Sequence, residues 1–156
     1  MRTLELLNLA CLAGSALMAG LFFGFSTSVM KALRTLQPPC GIAAMQSINV
    51  VIINPVFLTA FLGTAVLCAV ATILSLAWGS PPGTGATMAG SAFYLIGVLF
   101  VTMRVNVPLN NALARASPET TEAIPVWNGY LARWTPWNHV RALAALAATL
   151  SFALSR

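Results

Sequence analysis

Aspartate is absent from this 156-residue chain, and its only carboxylate side chains are Glu5, Glu119 and Glu122. Lysine occurs once, at Lys31, and histidine once, at His139. Charged residues make up 7% of the sequence, where a soluble domain carries about a quarter. With 58% hydrophobic residues there is too little polar surface to cover a water-solvated particle, so lipid must solvate much of the chain. The scarcity of carboxylates, with aspartate absent, leaves no Ser-His-Asp set, and no Gly-rich phosphate loop is present. It also argues against a protein-ligated zinc or di-iron centre, which needs three or four His, Cys or carboxylate ligands. Cysteine is scarce: Cys11, Cys40 and Cys68 form no CxxC and are expected as small apolar packing residues. The net charge of +5 does not point to nucleic acid, because the basic residues stand singly near the ends of apolar runs.

What is present in quantity is long apolar sequence. Four segments stand out, roughly 4–33, 42–78, 87–113 and 136–154. A helix crosses a bilayer with about 20 residues, so the expected fold is all-α, a single up-down-up-down four-helix transmembrane domain over residues 1–156. The N-terminal run continues past Glu5 and Asn8 to Met30, too long for a cleaved signal segment, and reads as the first span. Turn chemistry separates the segments: "QPPCG" at 37–41, "GSPPGTG" at 79–85, and a longer loop from about 114 to 135. Thr135-Pro136 reads as an N-cap followed by a first-turn proline, which starts the fourth helix there. Pro55 and Pro108 each remove a helical hydrogen bond, freeing the carbonyls of Val51 and Arg104. Lys31, Arg34, Arg115 and Arg133 fall on one side of such a bundle, and Arg2 and Arg156 on the other. The expected setting is a bacterial inner membrane with both termini outside the cytoplasm.

The polar residues are not scattered. Ser26, Thr27 and Ser28 end the first segment, and Gln46, Asn49 and Asn54 begin the second. Arg104, Asn106, Asn110 and Asn111 end the third, and Asn138, His139 and Arg141 begin the fourth. In an alternating bundle these four ends meet at one mouth. Polar groups within a membrane usually face a protein interior or a wet cavity, and bundle sites are built from facing helices. On the fourth helix Trp137, Asn138 and Arg141 share a face that Ala144, Ala145 and Ala148 continue; His139 sits about 100° away. The candidate groups are thus a base (His139), fixed cations (Arg141, Arg104) and amides (Asn49, Asn54, Asn106, Asn110, Asn138). Phe22, Phe23, Phe25, Phe57 and Trp137 would supply aromatic walls. Such a mouth suits an anionic or phenolic molecule entering from the bilayer. Trp127 and Trp134 read as an interfacial belt. Two other classes remain open: a binder or transporter of a small lipophilic or anionic molecule, and a structural protein whose amides pair across helices and leave no cavity. Small residues at Gly14, Gly90 and Gly97 leave room for a homo-oligomer.

"FFGFSTSVMKAL" (22–33), "MQSINVVIINPVFL" (45–58), "NVPLNNALA" (106–114) and "WTPWNHVRALAALAA" (134–148) together resemble the anthrone oxygenase-like family of small membrane proteins. Lys31 and Arg104 depart from its pattern. The resemblance implies a cofactor-free oxygenase that takes a phenolic anthrone and dioxygen to a quinone. It implies Asn106, Asn110, Asn138 and Arg141 on the substrate oxygens, His139 as base, and Asn49 and Asn54 on the opposite wall.

Overall fold

A computed structural model describes residues 2–155 of the chain. Those residues form five helices and no strand: α1 (Arg2–Thr35), α2 (Pro38–Val51), α3 (Pro55–Ala77), α4 (Thr84–Ala114) and α5 (Ala123–Leu154). Arg156, counted above for orientation, lies outside the described residues.

The second apolar segment is therefore two helices, not one. The chain turns at Ile52–Asn54, and Pro55 opens α3 where its missing N–H is not needed. Asn54 holds the turn from both sides. Its Oδ1 accepts from the Phe57 N–H at 3.0 Å, and its Nδ2 donates to the Val51 carbonyl at 3.1 Å. The carbonyl that proline frees thus has a partner three residues away.

Pro108 is absorbed differently. Residues Thr102–Asn106 form a π-helical turn, in which the Val107 N–H bonds back to the Thr102 carbonyl. The α-helical ladder resumes at Val107 with proline in its first turn, where no donor is required. Further π-helical stretches occupy Phe93–Phe100 in α4 and Phe25–Val29 in α1.

The last helix starts at Ala123 rather than at Pro136. Thr135 caps nothing, since its hydroxyl is buried without a partner. The added length buries Trp127, Tyr130, Leu131 and Trp134 at helical spacing, which outweighs the one hydrogen bond Pro136 removes. Trp127 and Trp134 are consequently core residues, stacked on either side of Tyr130 with centroids 5.7 and 6.0 Å apart, and not a lipid-facing belt.

The long helices alternate in direction. At one end Asn8 of α1 donates to Thr87 of α4 at 3.0 Å, and Gly83, with φ 87°, lies against the Ser155 backbone. At the other end Gln46 of α2 donates to the carbonyls of Leu113 and Ala116, both at 2.9 Å, and fixes the end of α4. α5 runs along α1 and also packs on α4. Three helices, α1, α3 and α4, are long and apolar enough to cross a membrane, which marks an integral membrane protein. Cys11 and Cys68 are buried in the core, whereas Cys40 is exposed rather than a packing residue of the interior.

The glycines that left room for a second copy are used within the chain. A Cβ on Gly97 would collide with Ala144, one on Gly14 with Thr64, and one on Gly90 would press on the Phe152 ring. Close approach of backbones is the main packing device between helices in lipid. Gly97→Val is accordingly expected to destabilise the fold by about 1–3 kcal/mol through overpacking. Gly20→Ala, which meets open space, is expected to leave stability unchanged or slightly raised. Thermal unfolding of both variants in detergent checks this; equal melting temperatures would contradict the close α4–α5 contact.

Candidate functional site

Along α5 the burial changes character twice. Trp127, Tyr130 and Trp134 belong to one apolar cluster, shared with Met30 of α1, Met45 of α2 and Leu113 of α4. Ala145, Ala148 and Phe152 belong to a second, shared with Met18, Phe61, Tyr94 and Val98. Asn138 and Arg141 fall between the two clusters, one helical turn apart and both buried.

The orientation of the Asn138 amide follows from chemistry. Its Nδ2 donates to the Phe22 carbonyl at 2.8 Å and to Ser26 Oγ at 2.7 Å, while its Oδ1 accepts from Arg141 Nη2 at 2.6 Å. A carbonyl can only accept and a guanidinium can only donate, so the amide cannot be turned round. Asn138 therefore fastens the arginine to the backbone of α1. Arg141 Nη1 donates to Thr102 Oγ1 of α4 at 3.2 Å. Its Cζ lies 4.4 Å from the Phe22 ring centroid and 5.1 Å from that of Trp134. Cation–π contacts of a desolvated guanidinium contribute about 2 kcal/mol or more. Even so, the side chain is 5% exposed, its polar partners are all neutral, and its Nε is buried with no partner. A buried charge without a counterion is costly.

Arg141 faces a cavity of about 120 Å³, smaller than a typical small-molecule site and open at its mouth. Phe22, Phe25, Phe57, Met45, Ile48 and Ile52 give apolar walls; Asn49, Thr102, Asn110 and Arg141 give the polar ones. Ile53, 66% exposed, stands at the mouth with the exposed Val50, Val51 and Val56 beside it. Glu5, Glu119 and Glu122 do not line it. Among the described residues no three His, Cys, Asp or Glu side chains gather as a metal centre would require.

The structure brings Asn138 and Arg141 together and sets Asn49 and Asn110 in the cavity wall. Asn106 is buried beside them, with its Nδ2 3.5 Å from the Trp134 carbonyl and its Oδ1 unpartnered, but it does not line the cavity. The other expected residues lie elsewhere. Trp137, 41% exposed, and His139, also exposed, flank Asn138 in sequence and sit about 100° to either side of it. With Asn138 and Arg141 facing inward, both lie on the outer side of the helix. Phe23 likewise turns outward beside Phe22. Arg104 is exposed, its Cζ 5.9 Å from the Phe100 ring centroid. Asn54 is committed to its turn and does not reach the wall.

Two participants were not expected from the sequence. Thr102 accepts from Arg141 and donates to the Val98 carbonyl at 2.7 Å. Tyr130 donates to Asn110 Oδ1 at 2.9 Å, as does Trp134 Nε1 at the same distance. The spacing of Trp127, Tyr130 and Trp134 is the signal that would have found the aromatic stripe, had the helix been extended upstream of Pro136.

No curated protein and no solved structure matches the chain. The sequence model described as anthrone oxygenase matches residues 56–151, which takes in α3, α4 and all of α5 up to Ser151. That match covers more than half of the chain and includes Arg141, Asn138 and Asn110, so this protein belongs to the anthrone oxygenase family.

Proposed function

We propose that this protein is a membrane oxygenase that oxidises an anthrone or a related phenolic carbon acid with dioxygen in the cavity beside Arg141. In this reading α5 crosses the bilayer together with α1, α3 and α4. The basic loop residues Lys31, Arg34, Arg115 and Arg133 set the cavity end toward the cytoplasm, with both termini outside a bacterial inner membrane. The observation that carries the reading is Arg141: a buried cation with neutral partners only, walled by Phe22 and Trp134, facing an aromatic cavity. An oxyanion bound there supplies the missing counter-charge.

The chemistry needs little more than that. The anthrone ring carbon loses a proton, and the charge moves onto its oxygen, where the guanidinium stabilises it. The electron-rich anion gives one electron to dioxygen, and the resulting carbon radical and superoxide combine at the ring carbon. The peroxide takes up the proton and loses water as the quinone carbonyl forms. Overall one anthrone and one dioxygen give one anthraquinone and one water. No carboxylate or imidazole lines the cavity, so we assign the proton to water at the mouth and to no side chain.

Oxygen uptake with anthrones, measured on the purified protein in detergent with chelator present, tests this. Arg141→Ala is expected to lower the rate about 100-fold or more, as removal of an oxyanion donor does. His139→Ala is expected to stay within about twofold of the native rate, because an exposed side chain outside the cavity has no proton to take. A large loss in His139→Ala with a native rate in Arg141→Ala would overturn the assignment. Absence of uptake with every anthrone would leave a binding protein.

The pH profile follows from the same geometry. With no titrating base in the wall, the rate is expected to rise steadily with pH, following ionisation of the substrate, and to shift when a more acidic anthrone is used. A bell-shaped profile whose acid limb stays fixed across substrates would require a protein base.

A further inference from the structure

The cavity holds a second fixed donor, at Asn110. Trp134 Nε1 and the Tyr130 hydroxyl both meet Asn110 Oδ1 at 2.9 Å. An indole N–H is a donor only, so the oxygen of this amide must face Trp134. The Nδ2 then turns away from both aromatic residues, and Asn110 lines the cavity. The amide is thereby set as an N–H donor toward a ligand. Arg141, which also lines the cavity, can only donate. Thr102 cannot donate to a ligand, since its one hydroxyl proton goes to the Val98 carbonyl and one of its lone pairs accepts from Arg141. Asn49, the remaining polar group of the wall, has a buried Nδ2 without a partner, and nothing pins which end of its amide faces the ligand.

The two fixed donors stand on different sides of one indole. The Arg141 guanidinium lies over the Trp134 ring, and Asn110 meets its Nε1 edge. We propose that the cavity is a two-point receptor for flat aromatic ligands bearing two acceptor oxygens, an oxyanion at Arg141 and a carbonyl at Asn110. Tyr130 and Trp134 are the positioning residues that set the second point. The assignment rests on the oxygenase reading for its location but not for its chemistry: it concerns which ligands are held, whether or not they react. It implies that the ligand oxygens at these two points act as acceptors, so a phenol at Arg141 is held as its phenolate and a hydroxyquinone is held better than a phenol without a carbonyl.

Three probes separate the points. 2-Hydroxyanthraquinone carries both oxygens, 2-hydroxyanthracene lacks the carbonyls, and anthraquinone lacks the phenol. Binding to the full-length protein in detergent is followed by the visible band of 2-hydroxyanthraquinone, which moves on ionisation, and by fluorescence quenching for the others. The bound hydroxyquinone is expected to ionise at least one pH unit lower than the free compound, and Arg141→Gln is expected to abolish that shift. Asn110→Leu is expected to weaken 2-hydroxyanthraquinone and anthraquinone about tenfold while leaving 2-hydroxyanthracene unchanged, the size of one lost hydrogen bond. Asn110→Asp retains an acceptor for Tyr130 and Trp134 but replaces the cavity-facing donor with an acceptor, and is expected to weaken the same two ligands at least as much. Tyr130→Phe, which keeps the ring stack, is expected to narrow the preference for the hydroxyquinone over 2-hydroxyanthracene.

Equal weakening of all three ligands in the Asn110 variants would mean a packing role and would overturn the two-point assignment. So would unshifted ionisation of the bound hydroxyquinone. Either result together with Arg141-dependent oxygen uptake would remove the receptor assignment and leave the oxygenase reading standing. The expected selectivity without uptake of oxygen would remove the oxygenase reading and leave the receptor.

Discussion

A guanidinium withheld from water and given only neutral partners governs the arrangement of this protein. Arg141 reaches α1 through Asn138 and α4 through Thr102, and it rests on the rings of Phe22 and Trp134. One cation thereby ties three helices at the level where the two apolar clusters part. Neutral dipoles and ring faces lower the cost of burying the charge but cannot cancel it, because the field of an ion in a poorly polarisable medium reaches further than a dipole can answer. A carboxylate partner would have removed that field. Its absence leaves the guanidinium with neutral partners only, which is the ground for the oxyanion site proposed above.

The backbone is irregular where it serves this centre. The π-helical turn Phe25–Val29 follows Phe22 and contains Ser26; the turn Thr102–Asn106 contains Thr102 and ends before Asn110. The break at Ile52–Asn54 supplies part of the cavity wall. Departures from the α-helical ladder are tolerated inside a membrane only where other groups take up the freed hydrogen-bonding capacity, and π turns are frequent at functional sites for that reason. Asn54 shows the mechanism at its simplest: one side chain caps α3 and accepts none of the cost of leaving Val51 unpaired, because it donates to that carbonyl itself. The opposite half of the molecule has one such stretch, Phe93–Phe100, which carries Tyr94 and Val98 into its apolar cluster. Its helices meet through Gly14, Gly90 and Gly97, and its polar contacts are few, such as Asn8 to Thr87.

The convergence of polar ends was legible in the sequence because it follows from alternation of helix direction alone. Asn138 and Arg141 were legible as a pair because they lie three residues apart on a face that small residues continue. The outward turn of His139 was implied by its spacing from Asn138, whereas Trp137, about 40° from Arg141 in helical phase, could not be told from an inward residue by phase alone. Asn54 and Pro108 illustrate what could not be read. Proline says that a hydrogen bond is lost, but whether the chain breaks, as at Asn54, or slips by one residue, as before Pro108, depends on tertiary packing around it. Pro136 was misread for the same reason: the stripe Trp127, Tyr130, Trp134 holds the helix together across it.

The lack of a side-chain base in the cavity has a physical logic of its own. A carboxylate close enough to take the proton of a carbon acid bound beside Arg141 would also be close enough to pair with that arginine. The pair would neutralise the field that makes the ligand acidic, so base and cation would each undo the other. A neutral imidazole in the wall would escape this only while uncharged, and taking the proton would set two cations side by side. Separating the functions avoids the conflict. The protein keeps the cation fixed and dry through Asn138 and Thr102, and holds a second donor through Tyr130 and Trp134. In the proposed reaction, water at the mouth is then left to remove a proton whose departure the bound cation already favours.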